Sequence, residues 1–91
     1  MQLEFDSAKS VKNAITRELP FELVVMLDWG AAYTVVDDRR DYGETRFIAY
    51  APLAGRLHVV CYVKRGDVRR IISFRKANDR EIAKYAKAID R

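Results

Sequence analysis

The chain has 91 residues, 49% hydrophobic and 33% charged, with a formal net charge of +4. That is enough for one small core and too apolar for disorder, and no apolar run approaches the roughly 20 residues a membrane helix needs. A lone Cys61 excludes an internal disulfide, and one His with one Cys excludes a zinc site built from those residues.

The charge is unevenly placed. Up to Gly55, six Lys/Arg stand against nine Asp/Glu, a net of −3; from Arg56 onward, eleven stand against four, a net of +7. A basic C-terminal third suits a nucleic-acid partner, and it equally suits a merely solvated surface. Met1-Gln2-Leu3-Glu4 has no secretory pattern, and Cys61 inside an apolar run reads as a small buried hydrophobe. One cytoplasmic domain over residues 1–91 is expected.

Residues 2–5 alternate and predict a short strand. Asp6 or Ser7 then caps a helix whose Ala8, Val11, Ile15 and Leu19 share one stripe, expected to face the core. Pro20 interrupts, so Phe21 to Asp28 is expected to be a second short helix ending at Trp29-Gly30, with Trp29 a packing anchor. Tyr33 to Val36 predicts a strand, and Asp37 to Thr45 a polar connection. Three more strands follow: Arg46 to Leu53, Arg56 to Lys64 and Val68 to Arg75. Their turns lie at Ala54-Gly55 and Arg65-Gly66-Asp67. On the middle strand Leu57, Val59, Cys61 and Val63 face one way, His58, Val60, Tyr62 and Lys64 the other. Asn78 with Glu81 is a capping box opening a last helix, Asp79 to Asp90, whose apolar stripe is Ile82, Tyr85, Ala86 and Ile89. The order β-α-α-β-β-β-β-α with short links predicts an α+β fold: a twisted antiparallel sheet of about four strands with helices on one face.

Several chemistries lack their residues. His58 is the sole imidazole, no Gly-rich turn surrounds a serine, and no phosphate-cradling loop exists. Asp37, Asp38, Asp41 and Glu44 read as a solvated loop rather than a cation site, so neither metal nor cofactor is expected. What remains is a sheet face with cations and phenols. The last strand offers Arg69, Ile71, Ser73 and Arg75; its neighbour offers His58, Tyr62 and Lys64, with Arg46 and Tyr50 adding to it. Guanidinium groups grip phosphate and aromatic rings stack on splayed bases, which makes this face a candidate RNA surface.

Arg75 and Lys76, adjacent at a strand exit, are cations that the fold does not need. Cleavage of RNA by its own 2′-hydroxyl requires in-line positioning and a stabilised pentacovalent phosphate, which cations can supply. Lys64 or Lys76 is a candidate base, and Tyr62 or Tyr85 a candidate acid, although Tyr85 equally suits the core. Arg69 and Arg70 equally suit surface ion pairs with Asp67 or Glu44.

The motifs resemble those of the BrnT toxins of bacterial type II toxin–antitoxin systems. The matching pieces run in order: Phe5-Asp6-x-Ala8-Lys9 with Asn13, Leu19-Pro20-Phe21-Glu22, and Asp28-Trp29. Then come Asp38-x-Arg40-x-Tyr42-Gly43-Glu44-x-Arg46-Phe47, Arg56-Leu57-x-Val59-Val60, and Arg65-Gly66. The last is Arg70-Ile71-Ile72-Ser73-x-Arg75-Lys76-Ala77-Asn78-x-Arg80-Glu81. Where many relatives carry Lys-His-Gly after the first helix, this chain has Thr16-Arg17-Glu18, so any chemistry of that His runs without it here.

The resemblance implies a RelE-like fold, ribonuclease activity that arrests growth, and a BrnA-type antitoxin with a ribbon-helix-helix DNA-binding part. DNA is then met only through the antitoxin, and a membrane not at all. Arg75 and Lys76 match the strand-end basic pair; Arg46, Lys64 and Arg65 match positions that usually carry charge. The expected catalytic set is Arg75, Lys76, Lys64 and Tyr62, and the expected RNA-binding set Arg46, His58, Arg65 and Arg69. The competing expectation is a decayed toxin, a non-catalytic basic nucleic-acid-binding or protein-interaction domain.

Overall fold

Every residue from Leu57 to Val63 is buried, so this segment is covered on both faces and organises the rest. The computed structural model describes residues 1–90. Its elements are β1 (Gln2–Glu4), α1 (Ser7–Arg17), 3-10 helices at Phe21–Met26 and Trp29–Ala31, β2 (Tyr33–Asp37), β3 (Arg46–Leu53), β4 (Arg56–Arg65), β5 (Val68–Lys76) and α2 (Asp79–Ile89). β2 to β5 form the expected antiparallel meander. β1 adds a fifth strand, parallel to β5, giving the order β1-β5-β4-β3-β2. The α+β expectation therefore holds, with five strands rather than about four and one parallel pairing.

The β3–β4 turn forces Ala54 and Gly55 to positive φ (51° and 77°), the mirror-image turn whose twist matches a hairpin. The 3-10 geometry at Phe21–Met26 replaces the expected α-helix. Consecutive β-branched Val24 and Val25 and only six residues favour short i→i+3 turns over an α-helical run. Phe21, Val24 and Leu27 still insert into the core, where they meet Val60, Tyr62, Ile71 and Phe74.

The helices do not share one face. α1 and the 3-10 helices cover the side of the sheet bearing Val60, Tyr62 and Phe74. α2 crosses to the other side, where Tyr85 packs with Tyr50, Leu57, Val59 and the buried Ala77. The crossing is fixed at Ala77, whose N–H donates to Leu57 O at 3.0 Å, while the Arg56 guanidinium donates to Ala77 O at 2.9 Å. A single helix on that side leaves much of it open.

α1 also docks opposite to expectation. Its inward residues are Ser10, Asn13 and Ala14, whereas Val11 and Ile15 are exposed; of the expected stripe only Leu19, beyond the left-handed cap at Glu18, reaches the core. Polar bonds hold the helix down. Asn13 Nδ2 donates to Leu19 O (2.7 Å) and Phe74 O (2.9 Å), and Ser10 Oγ accepts from Phe21 N (2.8 Å) while donating to Glu22 (2.7 Å). Asn13→Ala strands two carbonyls, one of them on β5, and is expected to cost about 1–3 kcal/mol. A lowered thermal midpoint in a circular-dichroism melt is the expected reading; an unchanged one contradicts polar docking.

Candidate active site

The sheet sorts the eight sequence-derived candidates onto two sides. Between β4 and β5 the register slips: Cys61 pairs with Ser73, but Tyr62 pairs with Ile71, leaving Ile72 as an extra residue. A bulge of this kind breaks the period-two alternation. Arg69 and Ile71 consequently face the α1 side, whereas Ser73 and Arg75 face the α2 side. The expected row Arg69, Ile71, Ser73, Arg75 on one face does not exist.

His58 and Tyr62, expected on an open face, are buried at 3% and 5% exposure. They lie under the 3-10 layer because β4 is the central strand. His58 Nδ1 donates to Arg56 O at 2.8 Å and the ring sits 5.6 Å from Phe74, with burial holding its pKa below the ordinary value. Tyr62 is wedged between Trp29 (5.8 Å, edge-on) and Phe47 (5.5 Å, stacked), and burial raises its pKa. Neither is placed to touch a polynucleotide. Trp29 is the packing anchor expected, its Nε1 donating to Val24 O at 3.1 Å. Arg69 lies over the Trp29 ring at 4.3 Å and the Tyr62 ring at 5.4 Å, a cation–π lid on that core. Lys64, opposite Arg69, and Lys76, opposite His58, take the same side by register and are exposed. Adjacent in sequence, Arg75 and Lys76 thus leave the sheet on opposite faces, as neighbours in a strand must.

The α2 side holds Arg46, Arg65, Arg70 and Arg75. Between β2, the sheet face and α2 lies a cleft of about 420 Å³, with Cys61, Ser73 and Arg75 on its floor and Glu81 and Lys84 on its α2 wall. Arg75 Nη1 and Nη2 donate to the two oxygens of Glu81 at 2.7 and 2.8 Å. The same carboxylate accepts from Asn78 N at 3.0 Å, and Asn78 Oδ1 accepts from Glu81 N at 2.8 Å, completing the capping box. The Arg75 hydrogen bonds hold the Glu81 carboxyl below its ordinary value, against burial, and raise Arg75. Glu81 is therefore an ionised carboxylate that aims a guanidinium along the cleft. Its capping role was legible in the sequence; its partnership with Arg75, six residues back, had no signature.

A second arginine cluster lies further along the same face. Arg46 stands over the Tyr42 ring at 3.9 Å, and its buried Nε has no hydrogen-bond acceptor among the described residues. Tyr42 O–H donates to Asp37 Oδ2 at 3.2 Å, and Arg39 grips both Asp37 oxygens at 2.7 Å. Arg65 pairs with Glu44 (3.1 Å) and Glu4 (3.7 Å), and Arg70 also pairs with Glu4. Asp37, Arg39, Arg70 and Glu81 share this side of the sheet and were not among the sequence-derived site candidates. Cys61, which lines the cleft with Asp37, has its thiol pKa pushed up by burial first and by that carboxylate second, which disfavours the thiolate. No group of three or more His, Cys, Asp or Glu side chains able to hold a metal occurs among the described residues.

A small α+β protein whose half-open sheet face carries a cleft lined by Arg39, Arg75 and Lys84 together with Asp37, Asp38 and Glu81 is the class these observations define. Residues 5–81 match the model of a family described as the ribonuclease toxin, BrnT, of type II toxin–antitoxin systems, and the chain belongs to that family. No curated protein and no solved structure matches it. Among the described residues, no helix is long and apolar enough to cross a membrane.

The Asp37 side chain is shut off from water, and the hydrogen bonds from Arg39 bring its pKa from 3.8 down to about 2. A folded value below the unfolded one means that its stabilisation is present above about pH 4 and is lost as pH falls towards 2. Asp37→Asn should flatten urea-unfolding stability across that window. An undiminished acid dependence contradicts the assignment.

Proposed function

We propose that the chain is a metal-independent endoribonuclease toxin that cleaves RNA in the cleft between the sheet and α2. Arg75, held by Glu81, is the cation nearest the reacting phosphate. The supporting observation is that the carboxylate, with Lys76 O accepting from Nη1, fixes the plane of the guanidinium, while Arg75 Nε has no acceptor among the described residues. Arg46, Arg65 and Arg70 occupy the same face and extend the track for the anionic backbone. In the reaction the substrate's 2′-hydroxyl oxygen attacks the adjacent phosphorus in line. A 2′,3′-cyclic phosphate forms and the 5′-oxygen leaves. The hydroxyl proton passes to water and the leaving oxygen takes one from water; His58 and Tyr62, across the sheet, take no part. The protein's contribution is positioning and charge stabilisation of the pentacovalent phosphate. Cleavage arrests growth in the cytoplasm, and a cognate BrnA-type antitoxin with a ribbon-helix-helix part neutralises the toxin and alone contacts DNA.

The second reading, a non-catalytic binding domain, draws on the acids that accompany these cations: Glu81 on Arg75, Asp37 on Arg39, and Glu4 and Glu44 on Arg65. One assay separates the two. Purified wild-type protein with single-stranded RNA and excess EDTA is expected to yield fragments, and Arg75→Ala to slow cleavage by about 10²–10³-fold with the circular-dichroism spectrum retained. Lys76→Ala, on the far side of the sheet, should change the rate far less. Intact RNA that is merely bound by the wild type supports the second reading. Equal losses in the two variants contradict the assignment to one face.

A further inference from the structure

α1 shows its apolar ridge to water. Val11 is 59% exposed and Ile15 78%, the largest exposure of any large hydrophobic among the described residues. Val25 and Met26, on the 3-10 helix packed against α1 in the same layer, are 48% and 65% exposed. Scattered apolar residues are ordinary on a surface, but a helix whose apolar stripe faces water, in one layer with a second exposed pair, is the kind of surface an interaction site uses. Folding does not need the ridge, because Ser10 and Asn13 dock the helix through polar bonds.

The flanks say what covers it. α1 contains Lys9, Lys12 and Arg17 and no acid, and Lys76 lines a cleft with Ile15 and Arg17. The acids at its ends are already engaged or at a cap: Asp6 accepts from Ala8 N and Lys9 N, Glu22 accepts from Ser10 Oγ, and Glu18 is the C-terminal cap residue. RNA is a poor occupant, since aliphatic side chains neither stack on bases nor pair with phosphate. A second copy is also poor: a two-fold axis would set these cations against their own duplicates. An amphipathic helix with acidic margins satisfies both the ridge and its flanks.

We propose that the α1 ridge anchors an acidic, apolar-faced helix of the antitoxin. The inference rests on the reading that this toxin has a protein antitoxin. The ridge lies across the sheet from the arginine-lined cleft, so the anchor does not compete with RNA. Inhibition then requires another part of the antitoxin to reach round to the cleft, and anchoring and blocking become separable.

The test titrates purified antitoxin, the product of the reading frame adjoining the toxin gene, into the full-length toxin by calorimetry, with RNA cleavage measured in parallel. The double variant Val11→Glu with Ile15→Glu should weaken binding by at least about 100-fold, the loss of a small cluster of dominant contacts. Its RNA cleavage without antitoxin and its thermal midpoint should match the wild type, and Ile15→Leu alone should bind normally. Wild-type affinity in the double variant overturns the proposal. Loss of RNA cleavage assigns the ridge to RNA, and loss of a concentration-dependent toxin dimer assigns it to a second copy; either also overturns it. A wild-type toxin that the antitoxin leaves unbound instead removes the antitoxin reading on which the inference stands.

Discussion

The Glu81 carboxylate joins three parts of the molecule. It closes the capping box that starts α2, receives the Arg75 guanidinium from the end of β5, and forms a wall of the cleft. A cap of this kind contributes about 0.5–2 kcal/mol to its helix. Here the same carboxylate also holds the Arg75 guanidinium through two hydrogen bonds. With Glu81 16% and Arg75 38% exposed at the side chain, the pair is partly shielded from solvent, yet open enough to meet a ligand. An arginine already held in place loses little freedom on gripping phosphate, which is how a preorganised cation stabilises a transition state.

The face that carries the arginines is a by-product of sheet order. Hydrogen-bonded between β3 and β5, β4 must be covered twice, and its two sides are covered unequally. The α1 layer closes over Val60, Tyr62 and Phe74, while α2 shelters only the end near Tyr50, Leu57 and Val59. The remainder of the second side is free for long cationic side chains. Arg69 shows the alternative fate. On the closed side, the same residue type spends its charge on the faces of Trp29 and Tyr62.

Much of this was legible in the sequence, and the errors share physical causes. Strand limits, both hairpin turns and the Asn78–Glu81 box follow from local propensity and turn chemistry, which a single chain displays. The face of each residue does not. Ile72 shifts the alternation by one place, and nothing in Ile71-Ile72-Ser73 announces a bulge. His58 and Tyr62 read as exposed because their segment alternates with apolar residues, whereas their burial depends on a layer from the first third of the chain, Leu19, Phe21, Val24 and Leu27, closing over that face. The α1 stripe misled for a different reason: periodicity finds an apolar face but cannot say whether the fold or a partner covers it. Asn13, a polar residue mid-helix, was the available hint.

The account stands on one claim, that RNA lies against the α2 side of the sheet and not the α1 side. The arginine Nε–H resonances of the wild-type protein test it most directly, followed by NMR during titration with a single-stranded RNA carrying 2′-deoxy sugars, which binds without being cut. Arg75 and Arg46 should shift in proportion to occupancy while Arg69, sealed over Trp29, stays in place. Movement of Arg69 with Arg75 and Arg46 unmoved would put the RNA on the other face and contradict the account.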